Sequence, residues 1–194
     1  MAAWPLPPWV PSGEWYVTVR CANLLCARLI AFQKSVERVW EEPRRRAFLS
    51  SVAKTGRLIL LDRRGIGLSD RIGFNPSVDA TAQDIGTVLD AAGSRRVVLF
   101  GASEGGPACI KFAADRPDRV AGLILFASLA KGSATPGYPH ALEASQYDMW
   151  LQQLVVAWGG PAGIETFAPS LSGDPQARAW WAQACFGPRR AREP

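Results

Sequence analysis

Histidine is nearly absent from this chain: His140 is the only one among 194 residues. That scarcity excludes a histidine-built metal centre. The four cysteines, Cys21, Cys26, Cys109 and Cys185, show neither C-x-x-C spacing nor a Cys/His ligand pattern, so zinc is not expected and no cofactor is implied. Long apolar runs are also missing. The stretch "LLCARLIAF" is too short to cross a bilayer and carries Arg28, so no membrane association is expected. The N-terminus "MAAWPLPPWVPSGEW" has no basic region followed by an apolar one, which argues against a signal peptide and for a cytoplasmic protein. The charge of +5 is scattered, with short clusters at Arg44–Arg46, Arg95–Arg96 and Arg189–Arg192. A nucleic-acid reader needs one coherent basic face, so no nucleic-acid partner is expected.

What is present suits a folded domain. Hydrophobic residues make up 48% of the chain, with eight Trp and eight Phe. That is enough apolar side chain to offset the entropy of ordering the backbone. Residues 1–36 read as an atypical N-terminal arm: "EWYVTVR" alternates as a strand does, while 24–32 fits a strand or a short buried helix equally well. From residue 37 the pattern sharpens. A helix is expected after Pro43, with Phe48, Leu49 and Val52 on one face and Gly56 as its stop. "RLILLD" (57–62) is continuously apolar, as in a strand covered on both faces. Val78, Ala82, Ile85, Leu89 and Ala92 step by helical spacing. "VVLFG" (97–101) and "VAGLILFAS" (120–128) flank another helix that tolerates Pro107 in its first turn. Strand, helix, strand, helix, strand at this spacing implies a mostly parallel sheet in an α/β fold. After Lys131 the chain becomes helical and Trp-rich near 142–158 and 174–185. Trp150, Leu154 and Trp158 form a stripe suited to packing, and residues 185–194 form a basic tail.

The stretch "GASEGG" (101–106) sits where a buried strand must become a helix. A serine at such a bend is held in a strained backbone conformation with its hydroxyl above the sheet edge. Gly101, Gly105 and Gly106 keep the turn free of side chains, and the amide of Glu104 lies at a helix N-terminus, suited to an oxyanion. This matches the G-x-S-x-G nucleophile elbow, with Ser103 as the nucleophile. A phosphate loop does not fit, because Pro107-Ala108 follows where Lys-Ser/Thr is required. "RGIGLS" (64–69) lacks the last glycine of a dinucleotide fingerprint, since Asp70 stands there.

The segments "LILLDRRGIGLSDR", "VLDAAG" and "VVLFGASEGGPACIKFAADRPDRVAGLILFASLAK" resemble the α/β-hydrolase superfamily. They are most similar to the bacterial subgroup encoded with, or fused to, adenylate/guanylate cyclase catalytic domains. The resemblance implies a three-layer sandwich, with the core at 37–130 and a partial helical cap at 131–184. It also implies a small-molecule ester or amide substrate, Ser103 as nucleophile, the Glu104 N–H as one oxyanion donor, and residues 62–70 as the site rim. A nucleotide-cyclase domain becomes a candidate partner.

An elbow serine needs a histidine base and a carboxylate that follow it in the chain. His140 lies in a loop. Asp115 and Asp118 fall in the turn at the wrong end of the sheet, and a local pairing of His140 with Glu143 or Asp148 is left open. The loop after "LIAF" has no glycine for a second oxyanion donor. The expectation is therefore a hydrolase truncated in or after its cap, weak or inactive alone. Two rivals stand beside it: a non-catalytic module that binds a ligand or a cyclase-type partner, and a fragment whose third strand is an exposed, aggregation-prone edge.

Overall fold

The computed structural model describes residues 16–20, 29–33, 36, 38–67, 69–70, 72–157, 160–161 and 163–183, with 16–20 and 29–33 described by their backbone. The first fourteen residues, Cys21, Cys26, Trp158, Cys185 and the basic tail lie outside these. The chain divides into two compact units, Met1–Ala130 and Lys131–Pro194.

In the first unit five strands form one sheet: β1 (Tyr16–Arg20), β2 (Leu29–Gln33), β3 (Leu58–Asp62), β4 (Val97–Ala102) and β5 (Val120–Phe126). Their spatial order is β1-β3-β2-β4-β5. β2 to β5 run parallel, and β1 pairs antiparallel with β3 at one edge. The sheet thus begins before residue 37, where the sequence places the start of the core. β2 fills the slot between β3 and β4, with Ala31 facing both Leu60 and Phe100. That pairing makes residues 29–32 a strand, because a short apolar run takes the conformation its neighbours can hydrogen-bond; residues 24–28 lie outside the described residues.

The helices follow from local sequence. α1 (Pro43–Thr55) starts at proline, and the Glu42 carboxylate accepts the Arg45 N–H at 2.7 Å. α2 (Val78–Ala91) is capped by the Ser77 hydroxyl, which accepts the Ala80 N–H at 3.1 Å. Both caps satisfy N–H groups that a helix start leaves without partners. α3 (Gly106–Asp115) carries Pro107 in its first turn. Along α2 the buried stripe is Ala82, Ile85, Val88 and Leu89, while Val78, expected on it, is exposed. Val78 is the first helical residue, ahead of the part that reaches the core.

The chain steps from β2 one way to β3, then back across β2 to β4. Right-handed crossovers therefore put α1 on one face and α2 and α3 on the other. Two apolar clusters show this. Ile59, Leu61, Val97 and Leu99 pack with α2 and α3 residues such as Ile85, Leu89, Cys109 and Phe112. Leu58 and Leu60 pack with Leu49 and Ala53 of α1 and with Val36, Val39 and Trp40. All five residues of β3 are buried, as a strand covered on both faces requires. The opposite edge differs. Among the described residues β5 pairs with β4 alone, and Leu123, Ile124, Leu125 and Phe126 are 38–66% exposed. The edge strand expected from the sequence is therefore observed.

The second unit opens with two isolated bridges, Ser133 to Leu142 and Thr135 to Tyr138. α4 (Ala144–Val156), α5 (Ile164–Phe167) and α6 (Pro175–Trp181) follow. Aromatic contacts join them: Trp150 lies 5.9 Å from both Tyr147 and Phe167, and Phe167 stacks on Trp181 at 6.4 Å. Trp150 thus acts in packing. No described helix is long and apolar enough to cross a membrane.

Candidate active site

The order reverses at β2, so the ends of β2 and β4 diverge at a topological switch point, the place where open α/β sheets hold ligands. Ser103 stands there. It follows β4 directly, opens a short 3-10 turn (Ser103–Gly105) and precedes α3. Its φ is +49°, and it is exposed. A non-glycine residue in the left-handed region stores on the order of 1–2 kcal/mol. Such strain persists only where the surroundings over-determine it.

Those surroundings are specific. A Cβ on Gly101 would stand 2.8 Å from Gly106 Cα and 3.1 Å from Leu125 Cδ2, and one on Gly106 would overlap the Ser128 side chain. The close approach across the bend is thus between Gly101 and Gly106, with Gly105 buried between them at an ordinary φ of −78°. Ser128, just beyond β5, donates its hydroxyl to the Ser103 carbonyl at 2.5 Å and faces the Gly101 carbonyl at 3.4 Å. Ala127 before it also has positive φ, +48°. Two adjacent parallel strands therefore end in left-handed residues, joined by one hydroxyl. Sequence reasoning missed Ser128. Its signal was a polar residue ending an apolar run next to the bend. We expect Gly106→Ala to cost about 1–3 kcal/mol, the usual range for forcing atoms into a filled space, measured by urea unfolding followed by circular dichroism.

The 62–70 loop lies at the same end of the sheet. Asp62 is buried and its Oδ1 accepts the Val36 N–H at 2.8 Å. Ser69 donates to the Asp62 carbonyl at 2.6 Å, and the Gly65 N–H reaches Asp70 O at 2.8 Å. Gly65 and Gly67 supply the positive φ values the turns need, and any Cβ on Gly67 would overlap the Asp62 carboxylate. Arg64 holds buried Asp84 through two hydrogen bonds, at 2.6 and 3.1 Å. Arg63 approaches Glu104 at 3.9 Å, which ties the loop to the bend. Of the residues after β2, the Val36 amide is committed to Asp62.

Asp115 and Asp118, the acids weighed as triad partners, do not lie at the bend. Asp115 ends α3 and binds Lys111 at 2.6 Å, while Asp118 lies in the turn before β5. Ala102 pairs with Phe126 and Val97 with Val120, so that turn is at the end of the sheet remote from Ser103. His140 is exposed in the second unit, with Tyr138 edge-on at 5.5 Å. Among the described residues no cluster of three His, Cys, Asp or Glu side chains could hold a metal. Cys109 is buried under α3, and burial pushes its thiol up to about 12. At pH 8 only about one thiol in ten thousand is then ionised. Peptide mapping after iodoacetamide treatment should find Cys109 unmodified in the native protein and modified in urea.

The strained serine between a parallel strand and a helix, at the switch point of a three-layer sheet, defines the architecture of an α/β hydrolase. A family model described as alpha/beta hydrolase fold matches residues 38–171, and the chain belongs to that family. It is similar to a solved carboxylesterase of Nitrososphaera gargenis, with a TM-score of 0.66 and 16% identity over 92% of this chain and 65% of that one. A hydrolase from Oleispira antarctica gives 0.63 and 19%, over 88% and 68%. At these identities the likeness is one of fold. Haloalkane dehalogenase 2 of Mycobacterium bovis and of Mycobacterium tuberculosis is 39% identical over 70 residues, 36% of this chain and 24% of theirs. The chain thus matches about a quarter of those curated relatives.

Proposed function

We propose that this chain carries the nucleophile half of a serine-hydrolase site for small ester or amide substrates. Ser103 is the attacking hydroxyl and the Glu104 N–H one oxyanion donor. The left-handed Ser103 between β4 and α3 carries this reading, because strain of that kind lifts a side chain clear of the sheet edge. Asp115 and Asp118 lie at the end of the sheet remote from Ser103, and His140 is the one histidine of the sequence, so in this reading the chain is a weak catalyst unless a triad acid and base are supplied to it. If both were supplied, Ser103 Oγ would lose its proton to the base and attack the acyl carbon. The alcohol or amine would leave with that proton, and water would then cleave the acyl-enzyme. No cofactor enters.

The test is hydrolysis of p-nitrophenyl acetate with free imidazole as a substitute base. Wild type should show turnover above the imidazole background, His140→Ala the same, and Ser103→Ala none. Equal rates for wild type and Ser103→Ala, with both folded, would contradict the assignment.

A second reading has its own support. The uncovered apolar residues of β5 favour a module that binds a protein partner, and resemblance to cyclase-associated hydrolases makes a nucleotide-cyclase domain the candidate. Co-purification with such a domain, lost on Leu123→Lys, would favour it.

A further inference from the structure

Ser128 carries more than packing. Its hydroxyl donates to the Ser103 carbonyl at 2.5 Å, and the same oxygen accepts the Gly106 N–H. The Ser103–Glu104 peptide is trans, since no cis bond occurs among the described residues. In a trans peptide the C=O and the following N–H point in opposite directions from one rigid plane. Whatever fixes the Ser103 carbonyl therefore fixes the Glu104 N–H. With the carbonyl drawn toward Ser128 beyond β5, the N–H is aimed away from β5. A hydrogen bond to the carbonyl also polarises the amide and makes its N–H a stronger donor.

We infer that Ser128 is a positioning residue for the oxyanion site: its hydroxyl holds the Ser103–Glu104 peptide plane, and through it the direction and strength of the Glu104 N–H. This rests on the reading of Ser103 as nucleophile for its catalytic meaning, but its conformational content stands alone. Three further observations agree. Gly106 leaves room for no side chain beside Ser128, Ala127 adopts φ +48° to present it, and its contact with the Gly101 carbonyl at 3.4 Å spans the bend from the strand side. A serine that merely filled space would need none of these.

The experiment compares wild type, Ser128→Ala and Ser128→Thr as full chains, each shown to melt cooperatively. By NMR, Ser128→Ala should shift the Glu104 amide resonance and speed its hydrogen exchange. It should also move the one-bond Cα–Hα coupling of Ser103, which reports the sign of φ. Ser128→Thr, which keeps the hydroxyl, should restore all three. In the imidazole-assisted ester assay, Ser128→Ala should lower the Ser103-dependent kcat about tenfold or more with KM nearly unchanged, approaching the loss seen when an oxyanion donor is removed. Threonine should recover it. Unchanged Glu104 and Ser103 signals in Ser128→Ala, or failure of folded Ser128→Thr to restore them, would overturn the inference. If wild type itself has no Ser103-dependent turnover, the nucleophile reading fails, and the NMR comparison still decides the role of Ser128.

Discussion

Without added imidazole, ester hydrolysis by this chain is expected to run about a million-fold slower than by a hydrolase with a complete triad. Removing the histidine from such an enzyme costs roughly that factor, equivalent to about 8 kcal/mol of barrier. Here the only histidine is His140. It sits in the second unit with Tyr138 against its ring, and Asp115 and Asp118 are held at the far end of the sheet from Ser103. Preorganised N–H donors alone leave a thousand- to ten-thousand-fold advantage over water in a triad enzyme. With the Glu104 N–H as the proposed donor and the Val36 amide engaged by Asp62, the residual advantage should be smaller still. Steady-state rates on p-nitrophenyl acetate, compared with those of a complete esterase, measure this. A rate within a hundred-fold of such an enzyme, lost on His140→Ala, would show that His140 is the base.

The second large effect concerns stability. Leu60→Ala and Leu61→Ala should each cost about 2–5 kcal/mol, the range for emptying a fully buried leucine site. Both residues have no exposed surface, and they feed opposite clusters, Leu60 toward α1 and Leu61 toward α2 and α3. Domains of ordinary stability have about 5–15 kcal/mol in total, so either change removes a large share. Urea midpoints followed by circular dichroism should fall strongly for both variants. An unchanged midpoint for one would mean that its face of the sheet is not packed. Phe126→Ser, on the exposed end of β5, should leave the midpoint nearly unchanged.

Much of this architecture is legible in residue order. Buried parallel strands read as unbroken apolar runs, so "LILLD" and "VVLF" declare themselves, and Pro43 marks a helix start because proline fits the first helical turn. β2 is different. Five residues of "LIAFQ" carry no period that separates strand from helix, and only the hydrogen bonds offered by β3 and β4 decide. The antiparallel sense of β1 is likewise a property of its partner. At the candidate site, the position of Ser103 between strand and helix follows from local pattern. Ser128 does not, because its partner is 25 residues away and the contact exists only once β4 and β5 lie side by side. The pairing of Gly101 with Gly106, rather than with Gly105, is equally a matter of three-dimensional approach.

The most direct test of Ser103 as a poised nucleophile is covalent capture. Folded chain is treated with a fluorophosphonate in the presence of imidazole, and the adduct is located by tandem mass spectrometry. One phosphonyl group on Ser103, absent from Ser103→Ala, is the expected result; no adduct on the folded chain, or an adduct on another residue that persists in Ser103→Ala, would contradict it.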